Sequence, residues 1–330
     1  MIKLSIIVPF YGVEKYIGQC LDSLFSQDMP ADEYEVICVN DCSPDKSEQI
    51  VLGFQKDHSN LKLIRHEVNK RLGAARNTGL SAAKGKYVWF VDSDDYVKSN
   101  CIKEIVDCCD NYNLQIFHWS IKDNHDHWVN RFEESDVVSG IDDLLSGSGD
   151  TTFPWNRVYE REFLLDNHLW FNDLWGGDVI HSMCALNKAE RLKNSSECYY
   201  YYRMDNMSSD MRSPATAKKV ISFCYVLGKA MDETSDQLSP RLHPLLDECV
   251  EWRINKSYKQ ILQLPMKEKR AFYRALDDDG VLKSYVLKKA NSKVRFLLRN
   301  PHLVYLIHPV YIFSRRIRNH YRDLKSCQQQ

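Results

Sequence analysis

"KYVWFVDSDDY", residues 86 to 96, passes within one residue from the apolar run Tyr87 to Val91 into three carboxylates, Asp92, Asp94 and Asp95. A short continuous apolar run is the mark of a strand covered on both faces, as in a parallel sheet. Three carboxylates within four positions repel one another unless something positive lies among them. The strand therefore ends at a site, and its neighbours in the chain show what kind of sheet carries it.

Working backwards, "LGAARNTGLSAAKG" (72–85) reads as a small-residue helix closing at Gly85, and "LKLIRHE" (61–67) as a strand. "SPDKSEQIVLGFQ" (43–55) reads as a helix with Ser43 as N-cap and Pro44 in its first position. "YEVICVND" (34–41) and "LSIIVPF" (4–10) are strands, the latter followed by the helical spacing Tyr16, Ile17, Cys20, Leu21, Leu24, Phe25. Strand and helix in alternation, with right-handed crossovers, give an α/β fold with a mostly parallel sheet flanked by helices.

Working forwards, the pattern loosens. "NCIKEIVDCCDNY" (100–112) is helical, "LQIFHWSI" (114–121) a strand, and "HWVNRFE" (127–133) with "SDVVSG" (135–140) is expected to form a hairpin. "GIDDLLSG" and "REFLLDNH" are short helices, "DVIHSMCALNKA" (178–189) a longer one, and "CYYYYRM" (198–204) an aromatic strand whose tyrosines suit sheet packing. From about residue 214 the chain reads as helices, with breaks near Pro240, Pro244, Pro265, Pro301 and Pro309. The expected division is 1–100 as the first half of one α/β domain, 101–212 as its second half, and 213–330 as a helical C-terminal extension.

Composition narrows the class. With 44 basic and 45 acidic residues, the chain lacks the overall positive charge of a nucleic-acid-binding surface. Residues 281–330 hold eleven Lys/Arg against one acid, so a whole-chain charge of −1 leaves about −11 on the first 280. The N-terminus reads as a strand and not a signal peptide, and eleven irregularly spaced cysteines suit reduced thiols, so a cytosolic protein is expected. Cys38 with Cys42, and Cys108 with Cys109, lack zinc-type spacing. No run reaches the roughly 20 apolar residues that span a bilayer.

In an open parallel sheet, ligands bind beyond the carboxyl ends of the strands. Pro9-Phe10-Tyr11, Asn40-Asp41 and Asp92 to Asp95 all stand at such ends and face one crevice. Paired carboxylates there suit a hard divalent cation, Mn²⁺ or Mg²⁺, which takes oxygen ligands and keeps positions open for substrate phosphates. Asp95 also has a plain reading as a solvated or helix-leading residue. His125 and His127 around Asp126 read as a polar hairpin turn in preference to a second metal site.

"SIIVPFYGVEKYIGQCLDSLFSQ", "EVICVNDCSPDKS", "NKRLGAARNTGL" and "GKYVWFVDSDDY" resemble, in order and spacing, the successive blocks of family 2 glycosyltransferases, inverting enzymes of GT-A (Rossmann-like) fold that use nucleotide sugars. The resemblance is dense over residues 3 to about 100 and thins to "PWNRVYEREFL" and "YYYYRMDNMSS" by about 212. It implies that Pro9, Tyr11 and Glu14 line the base and ribose end of a donor pocket and that Asp41 accepts a hydrogen bond from a uracil ring. Arg76 would lie near the nucleotide, Asp92 would hold ribose or metal, and Asp94 would bind the metal. Trp155 and Asn156 would flank the sugar, Trp155 being equally readable as core, and Arg203 and Ser208 would close over the diphosphate. Arg71 stands where the family often has glycine, and reads as a changed loop carrying an extra charge. Asp178 in "LWGGDVIHSM" matches the family's general base, although Gly177 replaces the usual neighbouring Glu. His181, one turn on, is expected to orient Asp178 instead, and Asp173 is the substitute base if Asp178 only caps its helix.

The resemblance implies a metal-dependent inverting hexosyltransferase. It would carry sugar from a UDP-sugar to a glycan or lipid-linked acceptor in bacterial capsule, exopolysaccharide or lipopolysaccharide assembly. The basic, aromatic-rich tail over residues 281–325 suits an anionic membrane surface, hence a peripheral position on the inner face of the cytoplasmic membrane. A catalytically silent sugar-nucleotide-binding protein is the alternative that Gly177 favours. A nicotinamide-dependent oxidoreductase is disfavoured because "PFYGVEKYIG" lacks the glycine spacing for close pyrophosphate approach.

Overall fold

The computed structural model describes residues 1–147, 153–174, 176–206 and 216–304. These fall into two compact units, residues 1–206 together with Gln237–Leu242, and residues 216–236 together with 243–304.

The first unit opens with β1 (Leu4–Phe10), α1 (Ile17–Phe25), β2 (Tyr34–Asn40), α2 (Ser47–Asp57), β3 (Leu61–Arg65), α3 (Arg71–Ala82) and β4 (Tyr87–Phe90). Every residue of β1 and β4 is buried, which explains their unbroken apolar runs. β1 pairs in parallel with β2 on one side and β4 on the other, so strand order reverses between β1 and β4. A crevice opens at such a reversal. Side chains alternate across the sheet: Ile6 and Val8 join Leu21 and Leu24 of α1 in one core layer. Ile7, between them, meets α3 from the opposite face. A Cβ on Gly79 of α3 would lie 2.3 Å from Ile7 Cγ2, so the small residues of this helix are what let it press against β1.

The second half of the unit adds β5 (Tyr96–Val97), α4 (Ile102–Tyr112), β6 (Ile116–Asp123), β7 (Trp128–Asn130), α5 (Gly140–Leu145), β8 (Arg157–Glu160), α6 (Arg161–Asp166), α7 (Gly177–Lys188) and β9 (Leu192–Tyr202). Among the described residues the sheet runs β3-β2-β1-β4-β8-β6-β9-β5, with β7 paired to β6. The parallel expectation holds through β4. Beyond it the sheet is mixed, because β8 lies antiparallel between β4 and β6, and β5 antiparallel to β9. Antiparallel neighbours do not need the long crossover that a parallel pair requires.

Two local expectations are corrected. The hairpin joins β6 to β7, turning through His125 to His127, and does not pair 127–133 with 135–140. Asp123 Oδ1 accepts from the backbone N–H of both His125 and His127, so this segment is the polar turn. Helix α2 begins at Ser47, four residues after the expected cap, because the residues before it serve another loop. Ser43 Oγ accepts from Gly12 N, Asp45 Oδ2 from Glu14 N and Ser47 Oγ from Val13 N, at 2.9–3.0 Å.

The second unit is helical: α8 (Ala217–Val220), a wide π turn (Ile221–Val226), α9 (Leu227–Glu233), α10 (His243–Gln263), α11 (Met266–Asp278), α12 (Gly280–Lys289) and α13 (Ser292–Arg299). Val250, Ile254, Phe272 and Val286 are fully buried in it. Lys289 bridges Asp232 and Asp247, and the apolar faces of α12 and α13 are buried, Leu282, Val294 and Leu298 among them. The start of the basic tail is thus part of this core, while most of its apolar stretch, from residue 305, lies outside the described residues. Among the described residues no helix is long and apolar enough to cross a membrane.

The approach of α3 to β1 makes a stability prediction. Gly79→Ala must displace Ile7 or the helix, an overpacking cost of about 1–3 kcal/mol. Urea denaturation should show that loss, and Ile7→Ala, which removes the clashing Cγ2, combined with Gly79→Ala should cost less than the sum of the two single changes.

Candidate active site

The crevice is built on one guanidinium. Arg76, in the second turn of α3, is fully buried and donates through Nη2 to Asp92 Oδ1 at 2.7 Å and through Nη1 to Asp178 Oδ1 at 2.6 Å. Its plane also lies over the Phe171 ring, 5.0 Å from the centroid. Asp92 follows β4 and Asp178 opens α7, so one cation joins three segments. Burial works against the Arg76 charge, and Asp178 and Asp92 more than restore it, holding its pKa above the ordinary value.

The three carboxylates of the opening stretch divide their work. Asp92 is held by Arg76. Asp95 is buried and accepts from Tyr200 Oη at 2.7 Å and from the Arg203 backbone N–H at 2.7 Å. It pins β9 to the turn. Asp94 accepts from Asn206 Nδ2 at 2.7 Å, while Arg203 Nε donates to the Asp94 carbonyl at 2.7 Å. Burial, and after it the charge of Asp92, push the Asp94 pKa up. Two neighbouring carboxylates, with oxygen as the donor atom, fit a hard divalent cation held by one or two carboxylates and completed by substrate phosphate and water. Among the described residues no group of three or more His, Cys, Asp or Glu side chains gathers at one point, so a metal here would rest on Asp92 and Asp94.

Asp178 keeps 30% of its side chain exposed, with Oδ1 committed to Arg76. Its pKa is raised, chiefly by burial, with the charge of Asp92 adding to the rise and Arg76 opposing it. His181 does not orient it. The His181 ring stacks on Phe171 at 3.8 Å, and burial, with the charges of Arg76 and Arg157, drives its pKa down to about 3. A neutral imidazole in an aromatic stack belongs to the packing, and Arg76 is the group that fixes Asp178. Asp173 is exposed, and its backbone carbonyl accepts from Arg71 Nη1 at 3.3 Å. Arg71 has φ 72°, in the left-handed region that favours glycine, at the position where the family often has one.

A Cβ on Gly177 would lie 2.0 Å from Asn172 Oδ1 and 3.0 Å from the Asn172 carbonyl oxygen, so a side chain there requires the Asn172 amide to move. The Asn172 segment is fastened to α3: Asn77 Nδ2 donates to the Phe171 carbonyl at 2.8 Å, and Phe171 N donates to Asn77 Oδ1 at 2.9 Å. An amide oxygen thus stands where the expected glutamate would begin.

At the other end of the crevice Asp41, after β2, accepts through Oδ1 from His66 Nδ1 at 2.7 Å and from Lys70 N at 2.8 Å. Pro9 is buried in β1, Tyr11 is exposed, and Glu14 Oε2 accepts from Lys46 N at 3.0 Å. Trp155 and Asn156 are both buried. Trp155 stacks on Tyr200 at 4.2 Å, and Asn156 shares its amide with His118 and Arg157. That placement favours the core reading of Trp155 and gives Asn156 a core partner set as well. Ser208 lies outside the described residues. His66, Asn77, Asn172 and Asn206 were missed by sequence reasoning. Only His66 carried a usable signal, being at the carboxyl end of β3 beside two other strand ends already suspected.

Comparison with known proteins follows this geometry. The family model described as "Glycosyl transferase family 2" matches residues 5–194. The chain is 33% identical over 211 residues to an uncharacterized glycosyltransferase, EpsJ, of Bacillus subtilis, covering 61% of this chain and 60% of that one. It is 34% identical over 233 residues to the poly(ribitol-phosphate) beta-N-acetylglucosaminyltransferase TarS of Staphylococcus aureus, covering 68% of this chain and 40% of that one. The match thus spans less than two thirds of each of these relatives. The crystal structure of residues 1–349 of S. aureus TarS with UDP-GlcNAc superposes with TM-score 0.67 at 25% identity, covering 95% of this chain and 92% of that one. With more than half of its length matched by the family model, and this crevice at its centre, the chain belongs to glycosyltransferase family 2.

Proposed function

We propose that the protein is a metal-dependent, inverting hexosyltransferase that moves a sugar from a UDP-sugar to a hydroxyl of a glycan, polyol-phosphate or lipid-linked acceptor in bacterial surface-polymer assembly. The observation that carries this reading is the single buried Arg76 that holds Asp92, on the donor side, and Asp178, on the acceptor side, at 2.7 and 2.6 Å. The donor assignment is supported by TarS, whose crystal structures hold UDP-GlcNAc and UDP.

In this reading Asp41 reads the uracil, and Pro9, Tyr11 and Glu14 border the base and ribose. Asp92 and Asp94 would hold Mn²⁺ or Mg²⁺, which would offset negative charge on the departing diphosphate. Arg203, fixed on the Asp94 carbonyl, brings a cation to the same turn. Asp178 takes the proton from the acceptor hydroxyl. Inversion requires that hydroxyl to attack on the face opposite the leaving group, so the base must be fixed relative to the donor, and Arg76 supplies that fixing. A raised pKa makes Asp178 a better proton acceptor than an ordinary carboxylate, while the guanidinium keeps it ionised enough to act.

We infer peripheral attachment to the inner face of the cytoplasmic membrane through residues 305–325, since α12 and α13 bury their apolar faces. Anionic vesicles should sediment the full chain at low salt. Truncation after Val304 should abolish this and leave UDP binding intact, whereas unaltered sedimentation would remove the tail from any membrane role.

Asp178→Asn should lower kcat by at least about 100-fold while the UDP dissociation constant stays within about threefold, because a general base acts in the transition state. The base works only when deprotonated, so activity falls as pH drops through its pKa. That pKa is raised, so the acid limb of kcat should lie above the ordinary Asp value of about 3.9. A limb at or below that value would move the assignment away from Asp178.

Calorimetry should show UDP binding strengthened by Mn²⁺ in the wild type, and Asp94→Asn should remove that gain. Equal UDP affinity with and without the ion in the wild type would end the metal reading.

A further inference from the structure

We propose that His66 is a positioning residue that holds the Asp41 carboxylate in the orientation that accepts from a uracil ring, and thereby sets the choice of nucleobase. This rests on the donor reading above and extends it to a residue outside the quoted motifs.

Asp41 is only 3% exposed, and its two oxygens are treated differently. Oδ1 takes both available donors, His66 Nδ1 at 2.7 Å and the backbone N–H of Lys70 at 2.8 Å. Oδ2 has no hydrogen-bond partner among the described residues, and it is not among the buried atoms sealed without one. It is therefore the acceptor left for a ligand. The Asp41 backbone is tied to β1 by its own N–H to the Phe10 carbonyl at 3.0 Å, which fixes the residue at the carboxyl ends of β1 and β2.

His66 is fixed as firmly as the residue it holds. Its backbone N–H donates to the Asn40 carbonyl at 2.9 Å, and its Nε2 lies 2.9 Å from Thr78 Oγ1 on α3. An ionised carboxylate can only accept, so Nδ1 carries the proton toward Asp41; in the neutral ring Nε2 then accepts from the Thr78 hydroxyl. The relay runs Thr78 to His66 to Asp41, and each member fixes the rotation of the next. Without His66, Oδ1 keeps one donor, and the carboxylate gains freedom to turn.

Orientation matters because the two pyrimidines differ at N3 and at the group on C4, a carbonyl in uracil and an amino donor in cytosine. Uracil carries N3–H, a donor that Oδ2 can accept; cytosine has a lone pair there, which faces a carboxylate oxygen as acceptor against acceptor. A pinned Oδ2 rewards the first and penalises the second. A carboxylate free to rotate does neither well.

The test measures UDP and CDP dissociation constants by calorimetry for the full chain with Mn²⁺. Wild type should prefer UDP. His66→Ala should weaken UDP by about tenfold, the worth of one buried charge-assisted hydrogen bond, with CDP changed less than about twofold. His66→Asn, whose amide can donate from nearly the same place as Nδ1, should restore most of the UDP affinity. In an Asp41→Ala background His66→Ala should add nothing. Unchanged UDP affinity in His66→Ala overturns the inference. Equal losses for UDP and CDP with a lowered Tm also overturn it, since that is what a purely structural histidine would do. A wild type that binds neither nucleotide overturns the donor reading itself.

Discussion

A guanidinium fully withdrawn from water must have its charge answered, and Arg76 is answered twice, by Asp92 and by Asp178. Breaking a buried ionic group by removing one partner costs several kcal/mol because the remaining charge stays stranded. That penalty makes the pair of carboxylates a condition for closing α3 onto the sheet. Packing adds to it: the same helix is pressed against Ile7 at Gly79 and clamped to the 171–172 segment by the Asn77 amide. Helix, strand end and helix start are held by one set of contacts, and the site inherits the rigidity of the core.

Around this point the crevice is assembled from side chains that bond to backbone. Ser43, Asp45 and Ser47 receive the N–H groups of residues 12–14, Asp95 receives that of Arg203, and Asp41 that of Lys70. Loops have no ladder partners of their own, and such acceptors satisfy their donors while fixing their path. Acidic residues that look alike in sequence are therefore not equivalent. Asp95 is taken up in anchoring a loop from a buried position, through Tyr200 and the Arg203 N–H, while Asp94 is held by the Asn206 amide.

The half of the fold up to Phe90 was legible because its signal is local: both faces of β1, β2 and β4 are covered, and the spacing of α1 follows one buried face. The second half was less so, since whether β8 inserts between β4 and β6 depends on pairings far apart in the chain. Trp128 and Val129 read as a strand but are exposed on β7, and periodicity cannot say which strand such a segment joins. Asp41, Asp92, Asp94 and Asp178 could be named from motif blocks. That Arg76 and not His181 would hold Asp178 could not, because the two meet across 102 positions and nothing in either neighbourhood encodes the other. The hairpin turn at His125 to His127 was readable from its polar composition, although its partner strand was not.

The distance along the chain between these partners also has a meaning in time. Arg76 and Asp92 leave the ribosome together, but Asp178 follows Arg76 by 102 residues and Tyr200, the partner of Asp95, follows Asp95 by 105. At about 5–20 residues per second, α3 waits roughly 5–20 s for the second carboxylate that completes its burial. During synthesis the parallel β1 to β4 block can form on its own short-range pairings, but the helix over it cannot be finally seated. The crevice around Arg76 is thus among the last parts of the first unit to close, and a nascent chain stalled before residue 178 presents the sheet without the second carboxylate.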